Sequence, residues 1–424
     1  MKKILIISEL FYPENVIGAL RPTKIAKYLS LDGFVVDVIT KEINDNNKLN
    51  NDDLGCRNLW RVSSIFTNQA TTNYFKTLVP SIKYSKNPII LELKKIKRNY
   101  YTLKSNKLFY KNVLLFLKKH IDLNEYDTIF TSYGPLSSIM VGLWIKKNYP
   151  NLKWICDFRD PIITDGISKL FYPLFKKIQD KACEKSDYVV AVSEGYLKKI
   201  WTKDCANKSY VITNGFDLDD SLYENMERIK NDKMHLVYVG AYYEGRRDLT
   251  PVFSAVSDLI RCNLIDKNKI CFDYAGNDFY FFEQNAIKYS LSDVLVNHSM
   301  LSRQDCLKLQ YQSDVLLLST WNTSTENGVL PGKLLEYMLI RKPIISITTG
   351  GFPNSEVSSI IKLCNLGLAY ESCSREIDEV NLRKYILNLY NEWKEQETIS
   401  FLPYSEEIDK YNYMKIIKQI EELI

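Results

Sequence analysis

Three consecutive residues, Pro331, Gly332 and Lys333, have the chemistry to hold a phosphate. Proline suits the first turn of a helix, where its missing N–H costs nothing. It leaves the N–H groups of Gly332 and Lys333 free at a positive helix end, beside a lysine ammonium. Glu336 follows about one turn later, and a carboxylate there can accept two hydrogen bonds from a vicinal diol such as a ribose. Together these groups fit a nucleoside diphosphate. An ordinary strand–loop–helix crossover with a solvated Glu336 is the plainer alternative. Arg246 and Arg247 form a second cationic pair just before a helix, and guanidiniums bind phosphate oxygens bidentately. Converging with Lys333, they would neutralise a leaving diphosphate without a metal; a solvated surface pair is the alternative. A third cluster, Asp157, Arg159 and Asp160, falls where a strand gives way to a loop, which is where open α/β sheets hold ligands. A structural Asp157–Arg159 ion pair would explain the same residues.

The elements that must position these groups follow from hydrophobic period and length. Residues 314–318 (DVLLL) and 343–347 (PIISI) are apolar runs of a length suited to buried parallel strands. Leu334, Leu335 and Met338 line one face of the helix between them. Near the start, a strand at 3–7, a turn at 11–22 carrying Gly18, a helix at 23–31 and a strand at 34–40 make a βαβ unit. Further strands are expected at 128–132, 154–157, 187–192 and 210–213, while residues 41–80 read as polar and irregular. At about residue 230 the pattern restarts with HLVYVG, closed by Gly240. The expected fold is α/β: two facing Rossmann-like, doubly wound parallel-sheet domains with a cleft between them. The first domain is 1–215, residues 216–232 are a charged link, and the second domain is 233–405. An amphipathic helix at 406–424 is expected to pack back on the first domain.

Composition narrows the classes. At 424 residues, 46% apolar and 25% charged, the chain is globular and long enough for two domains. No apolar run reaches the ~20 residues of a membrane-spanning helix, and MKKILIISEL reads as a strand instead of a signal peptide. Nine scattered cysteines without a C-x-x-C read as reduced thiols of a cytoplasmic protein, and no zinc pattern is visible in the spacing. The loop after strand one lacks G-x-G-x-x-G, which disfavours a nicotinamide or flavin enzyme. Charge is uneven: residues 81–119 hold eleven basic residues against the single acid Glu92, interleaved with aromatic and aliphatic ones. Such a stretch suits the anionic inner face of a bilayer, or it is a solvated helical face; no base-reading module points to nucleic acid.

Six segments now form a recognisable series: ILIISELFYPENVIGALRPTKIAKYL, WICDFRDP, DYVVAVSEGYLKKI, VITNGFD, VGAYYEGRRDL and NGVLPGKLLEYMLIRKPII. In their order and spacing the chain resembles the family-4 glycosyltransferases of the GT-B fold, retaining and sugar-nucleotide-dependent, in the form common in bacterial surface-polysaccharide clusters. The resemblance implies that Glu336, as the second Glu of an E-x7-E motif, holds the nucleotide ribose. It places Gly332 and Lys333 against the diphosphate, Arg246 or Arg247 at the leaving phosphate, and Gly18 in a phosphate loop. Gly240, ending its strand in the VGAYYEGRRDL segment, joins the donor-binding set. The chain also departs from the family. Gly328 stands where the first Glu of E-x7-E belongs, with Glu326 two residues early, and Ile17 replaces a loop glycine. Tyr133 and Gly134 occupy a place where the family often has His, so acceptor-side polar work falls to Asp157, Arg159 and Asp160. The expected catalytic set is then Asp157, Arg159, Asp160, Arg246, Arg247 and Lys333.

The resemblance implies a nucleotide-sugar donor, a glycan or undecaprenyl-linked acceptor, and transfer without a metal or other cofactor. The location would be cytoplasmic and peripheral on the inner membrane face. A GT-B sugar-nucleotide 2-epimerase would want more carboxylates and histidines than three His allow. A metal-dependent GT-A transferase would need an early D-x-D, and a non-catalytic nucleotide-sugar binder would show binding without turnover.

Overall fold

Strands built almost wholly of Ile, Leu, Val and Phe cannot leave either face in water, so each sheet needs helices on both sides. β1 (Lys3–Ile7) shows this directly: Ile4 and Ile6 enter one core while Leu5 and Ile7 enter the other. The computed structural model describes residues 1–14, 17–43, 54–63, 87–217 and 231–424. They divide into two compact units, 1–214 with 413–424, and 215–412.

In the first unit, β1 is joined by β2 (Val35–Lys41), β3 (Asn58–Val62), β4 (Thr128–Ser132), β5 (Lys153–Phe158), β6 (Tyr188–Ala191) and β7 (Ser209–Val211). All pair in parallel in the order β3-β2-β1-β4-β5-β6-β7. The order reverses between β1 and β4, which marks the crevice at their carboxyl ends. The helices are α1 (Ile17–Leu31), α2 (Pro88–His120), α3 (Ser137–Asn148), α4 (Tyr172–Lys185) and α5 (Glu194–Ile200). α1 starts six residues before the expected 23, so Pro22 lies inside it and Gly18 is its second residue. β3 lies in the stretch expected to be irregular, where the mixed NLWRV pattern hid an edge strand. Residues 44–53 and 64–80 of that stretch lie outside the described residues, as do 81–86 of the basic segment.

In the second unit, β8 (Met234–Val239), β9 (Ile270–Ala275), β10 (Leu295–Asn297), β11 (Val315–Trp321), β12 (Ile344–Thr349) and β13 (Gly367–Glu371) form a parallel sheet in the order β10-β9-β8-β11-β12-β13. Here the order reverses between β8 and β11. Helices α6 (Thr250–Arg261), α7 (Phe279–Ile287) and α11 (Arg375–Gln396) cover one face. α8 (Arg303–Gln312), α9 (Gly332–Ile340), α10 (Glu356–Leu363) and α12 (Ser405–Asp409) cover the other. Of the expected link, 218–230 lie outside the described residues, and Phe216 bridges to Asn412 within this unit.

The expected helix at 406–424 is two helices, α12 and α13 (Tyr413–Glu421). Lys410-Tyr411-Asn412 breaks the run where Phe216 N–H donates to Tyr411 O. α13 belongs to the first unit, where Ile416, Ile417 and Ile420 fill the core behind α1 and Tyr413 stacks on Tyr28 at 6.3 Å. Each such buried isoleucine contributes about 1.5–3 kcal/mol of hydrophobic stabilisation.

Candidate functional site

The second unit gathers its candidate groups at the β8–β11 reversal. β8 ends in Gly240 at φ 118°, a backbone that needs glycine. A Cβ added there would stand 3.6 Å from Lys333 Cε, so the lysine stem lies along this turn. The next residue, Ala241, accepts from Arg247 Nη1 at 3.2 Å. Lys333 and Arg247 therefore stand on successive residues of one turn, from two different helices' entry loops. Gly276, ending β9, closes the turn from behind: its Cβ would meet Gly240 O at 2.5 Å.

α9 starts as its sequence requires. Pro331 is its N-cap, with φ −64° and ψ 134°, and no side chain caps the first turn. The N–H groups of Gly332 and Lys333 keep their unsatisfied positive end. A Cβ on Gly332 would meet none of the described residues within 4 Å, so among them the space before this helix end is open. One turn in, Glu336 accepts from Lys333 Nζ at 2.7 Å, and both side chains are mostly covered.

Arg246 does something different. Its guanidinium lies 4.3 Å above the Trp321 ring and pairs with Glu326, leaving it on the rim of the turn. Tyr243 meets Trp321 edge-on at 5.8 Å, and Arg247 stacks on Tyr243 at 4.6 Å. Sequence reasoning left the two arginines interchangeable; the structure gives Arg247 the backbone turn and Arg246 the aromatic rim. Glu326 is held by Arg246 and by its own loop, where its N–H donates to Thr323 Oγ1 at 3.0 Å. Gly328, the missing glutamate's position, has φ 77°, a conformation that disfavours any replacement with a side chain.

In the first unit the groups meet at the β1–β4 reversal. Arg159 lies over two glycines: a Cβ on Gly18 would collide with its Nη1, and one on Gly134 with its Nη2. Asp160 accepts from Arg159 Nε at 3.1 Å. Among the described residues Nη1 is buried without a hydrogen-bond partner, so the guanidinium retains donor capacity beside the α1 N-terminus.

Asp157 corrects the expectation. It is fully buried, and its carboxylate accepts from Arg21 Nε and Nη2, at 3.0 and 2.8 Å, and from Ser132 Oγ at 2.9 Å. A group so enclosed cannot face an acceptor, and its ionic partner is Arg21, not Arg159. Asp157 instead ties β5 to α1 through Arg21, while Arg159 and Asp160 stand beside Gly18 and Gly134. Arg21 was overlooked in the sequence, though it shares the i, i+4, i+8 stripe of Ile25 and Leu29, where a charge demands a buried partner.

Glu9 was also missed. It follows β1, is 6% exposed, and accepts from the Ser137 hydroxyl at the start of α3. Burial lifts its carboxyl above the ordinary range, against the lowering effects of Ser137 and Lys41. A carboxyl raised in this way at a strand's carboxyl end has the profile of a proton-handling group.

No protein-family model matches this sequence, and no curated protein matches it either. Solved structures do match in fold. Sucrose-phosphate synthase from Thermosynechococcus elongatus superposes with a TM-score of 0.63 at 15% identity, covering 100% of this chain and 98% of that one. The E. coli trehalose-6-phosphate structure bound with UDP-2-fluoro glucose gives 0.60 at 13%, with 99% and 98% covered. The lipopolysaccharide outer core galactosyltransferase WaaB in its apo form gives 0.58 at 11%, with 99% and 98% covered. The two parallel-sheet units are those of the GT-B fold.

Proposed function

We propose that this chain is a glycosyltransferase that moves a sugar, with retention, from a nucleoside-diphosphate sugar to a glycan or undecaprenyl-linked glycan in bacterial O-antigen or capsule synthesis. The observation that carries the reading is the uncapped start of α9, open at Gly332, with Lys333 and Arg247 on the adjoining Gly240–Ala241 turn. Two cations and two N–H groups converge there from separate loops, which is the arrangement a diphosphate calls for. Glu336 would exchange its bond to Lys333 for the hydroxyls of the ribose, freeing the ammonium for phosphate.

In the transfer step the glycosidic C–O bond to the diphosphate breaks and charge accumulates on the departing oxygen. Lys333, Arg247 and the helix end stabilise that charge, so the reading needs no metal. The leaving phosphate itself takes the acceptor hydroxyl's proton on the same face of the sugar, which yields retention. Arg159, with Gly134 beneath it, and Asp160 are the acceptor-side groups on the first unit, and Gly18 keeps its place in the phosphate loop.

The acceptor's lipid anchor has a counterpart in α2. Ile89, Ile90 and Leu93 are exposed, as are Leu170 and Leu174 next to them in the chain segment tied to α2 by Lys169 N–H on Glu92. Lysines flank these residues, as on proteins that rest on anionic bilayers. Among the described residues no helix is long and apolar enough to cross a membrane.

A thermal-shift panel of UDP-, GDP-, TDP- and ADP-sugars, with and without added Mg²⁺, tests the reading. One nucleotide class should raise Tm equally in both conditions. No shift from any of them, or a shift that survives Lys333→Ala together with Glu336→Ala, overturns it.

A further inference from the structure

Two of the chain's three histidines converge on one carboxylate, on the strands that lead to the turn at Gly240. His235 Nδ1 lies 2.6 Å from Asp273 Oδ2, and His298 Nε2 lies 2.7 Å from Asp273 Oδ1. Cys271 joins them: its Sγ, the His235 ring nitrogen and the Asp273 carboxylate all lie within 4.8 Å of one another. The placement follows from register. His235 on β8 pairs directly with Cys271 on β9, and Asp273 is two residues on, so all three project from one face of adjacent parallel strands. This is the face of Val237, Val239 and Ala275, packed by Leu301 and Cys306; the aromatic core of Phe253 and Phe282 is on the other.

We propose that His235, Cys271 and Asp273 form a binding site for zinc or a similar thiophilic divalent cation. The donor set is right in kind: imidazole nitrogen, thiolate sulfur and carboxylate oxygen are the three protein ligands of zinc. The charge is also right, because a thiolate and a carboxylate together offset the cation's two positive charges. Asp273 and Cys271 are buried, whereas the His235 and His298 side chains are 26% and 30% exposed, so an ion has a path in and a fourth position for water. His298 is the outer partner: it donates to the Asp273 oxygen that does not face His235 and so fixes the carboxylate's orientation.

On binding, the Cys271 thiol releases its proton to solvent and the Nδ1 proton of His235 is displaced, so that a sulfur and a nitrogen lone pair both reach the cation. Tetrahedral bonds of the usual length put ligand atoms about 3.3–3.8 Å apart, so His235 and Asp273 part by roughly 1 Å as the ion replaces their shared proton. No sugar-transfer step runs through this site. It would staple β8 to β9, the strands whose ends supply Gly240 and Gly276.

Linear spacing conceals the constellation, because it contains no C-x-x-C and its histidine is 36 residues from its cysteine. The test is metal binding by the full chain after exhaustive chelation. Titration with zinc chloride should saturate at one ion per chain and raise Tm. Cobalt(II) in its place should give the near-ultraviolet absorption of a thiolate–cobalt bond. Cys271→Ser should abolish that absorption and weaken zinc at least tenfold, while Cys262→Ser, at an exposed thiol, should change neither. His298→Gln, which leaves the three ligands in place, should weaken zinc tenfold to a hundredfold. Absence of a saturable one-to-one site, a cobalt spectrum without the sulfur band, or unchanged zinc affinity in Cys271→Ser overturns the proposal. The wild-type cobalt spectrum decides the matter even where a variant fails to fold.

Discussion

Arg21 and Asp157 form a fully enclosed ion pair, 1% and 0% exposed, between the middle of α1 and the end of β5. Arg21 Nη1 donates to Thr213 O at 2.8 Å and to Asn214 Oδ1 at 3.3 Å, so one side chain ties α1, β5 and the segment after β7 together. Removing one member leaves a buried charge unpaired, which costs about 3–5 kcal/mol. Asp157→Ala should therefore lower unfolding free energy by about that amount in urea titrations. The double change Arg21→Met with Asp157→Leu should recover a large part of it. If Asp157→Ala is as stable as the parent, the pair does not organise this end of the unit.

Lys333 and Glu336 pair with each other on α9, and neither belongs to the apolar cluster of Leu334, Tyr337 and Met338. Either one changed to Ala should leave Tm within a few degrees of the parent. Loss of a charge-assisted hydrogen bond worth ~1.5–3 kcal/mol should reduce nucleotide-sugar turnover about tenfold to a hundredfold. Steady-state kinetics beside a melting curve separates the two effects.

Gly134 has φ 102°, and any Cβ there would strike the Arg159 guanidinium. Gly134→Ala should cost about 1–3 kcal/mol of stability. It should also raise the acceptor KM while leaving donor affinity, measured calorimetrically on the full chain, unchanged. A parallel loss of donor affinity would show that Arg159 does not act on the acceptor side.

Two buried carboxyls give opposite pH dependence. Glu9 is raised above its ordinary 4.5 by burial, so its contribution to stability is present below that value and lost as pH rises through the raised one. For Asp37, burial opposes ionisation, but hydrogen bonds from Arg57, Tyr126 and Asn58 prevail and lower it below 3.8. Its contribution is present above 3.8 and lost as pH falls through the depressed value. Glu9→Gln should thus be more stable than the parent at pH 8 and equal to it in acid. Asp37→Asn should be less stable at pH 7, the gap narrowing in acid. Chemical denaturation across pH 3–9 checks both signs.

The sheets were the most legible part of the sequence, because runs such as KILII, TIFTS and ICFDYA are too short and too apolar to be anything but strands covered on both faces. Helix starts were less so. Ile17 and Gly18 open α1 ahead of Pro22, which reads in the sequence as the end of the preceding turn, and Arg21 falls inside the helix only because of that earlier start. The phosphate-binding candidates were visible because helix capping is local chemistry: Pro331, Gly332 and Lys333 are adjacent in the chain. Asp157 was misread because burial is not local. Its neighbours in sequence, Arg159 and Asp160, suggested a charged loop, whereas its partner is 136 residues away. The same holds for Glu9, whose partner Ser137 comes from the start of another helix.

The polypeptide passes from the first unit to the second after Asn214 and returns after Asn412, and beside these crossings Phe216 and Asn412 form a β-bridge. The first unit is thus assembled from both extremes of the sequence. A fragment cut at residue 214 would lack Ile416, Ile417 and Ile420 and expose the apolar back of α1. Ribosomal synthesis delivers those three residues after residues 215–412, so the first unit cannot complete its core until the second has been made.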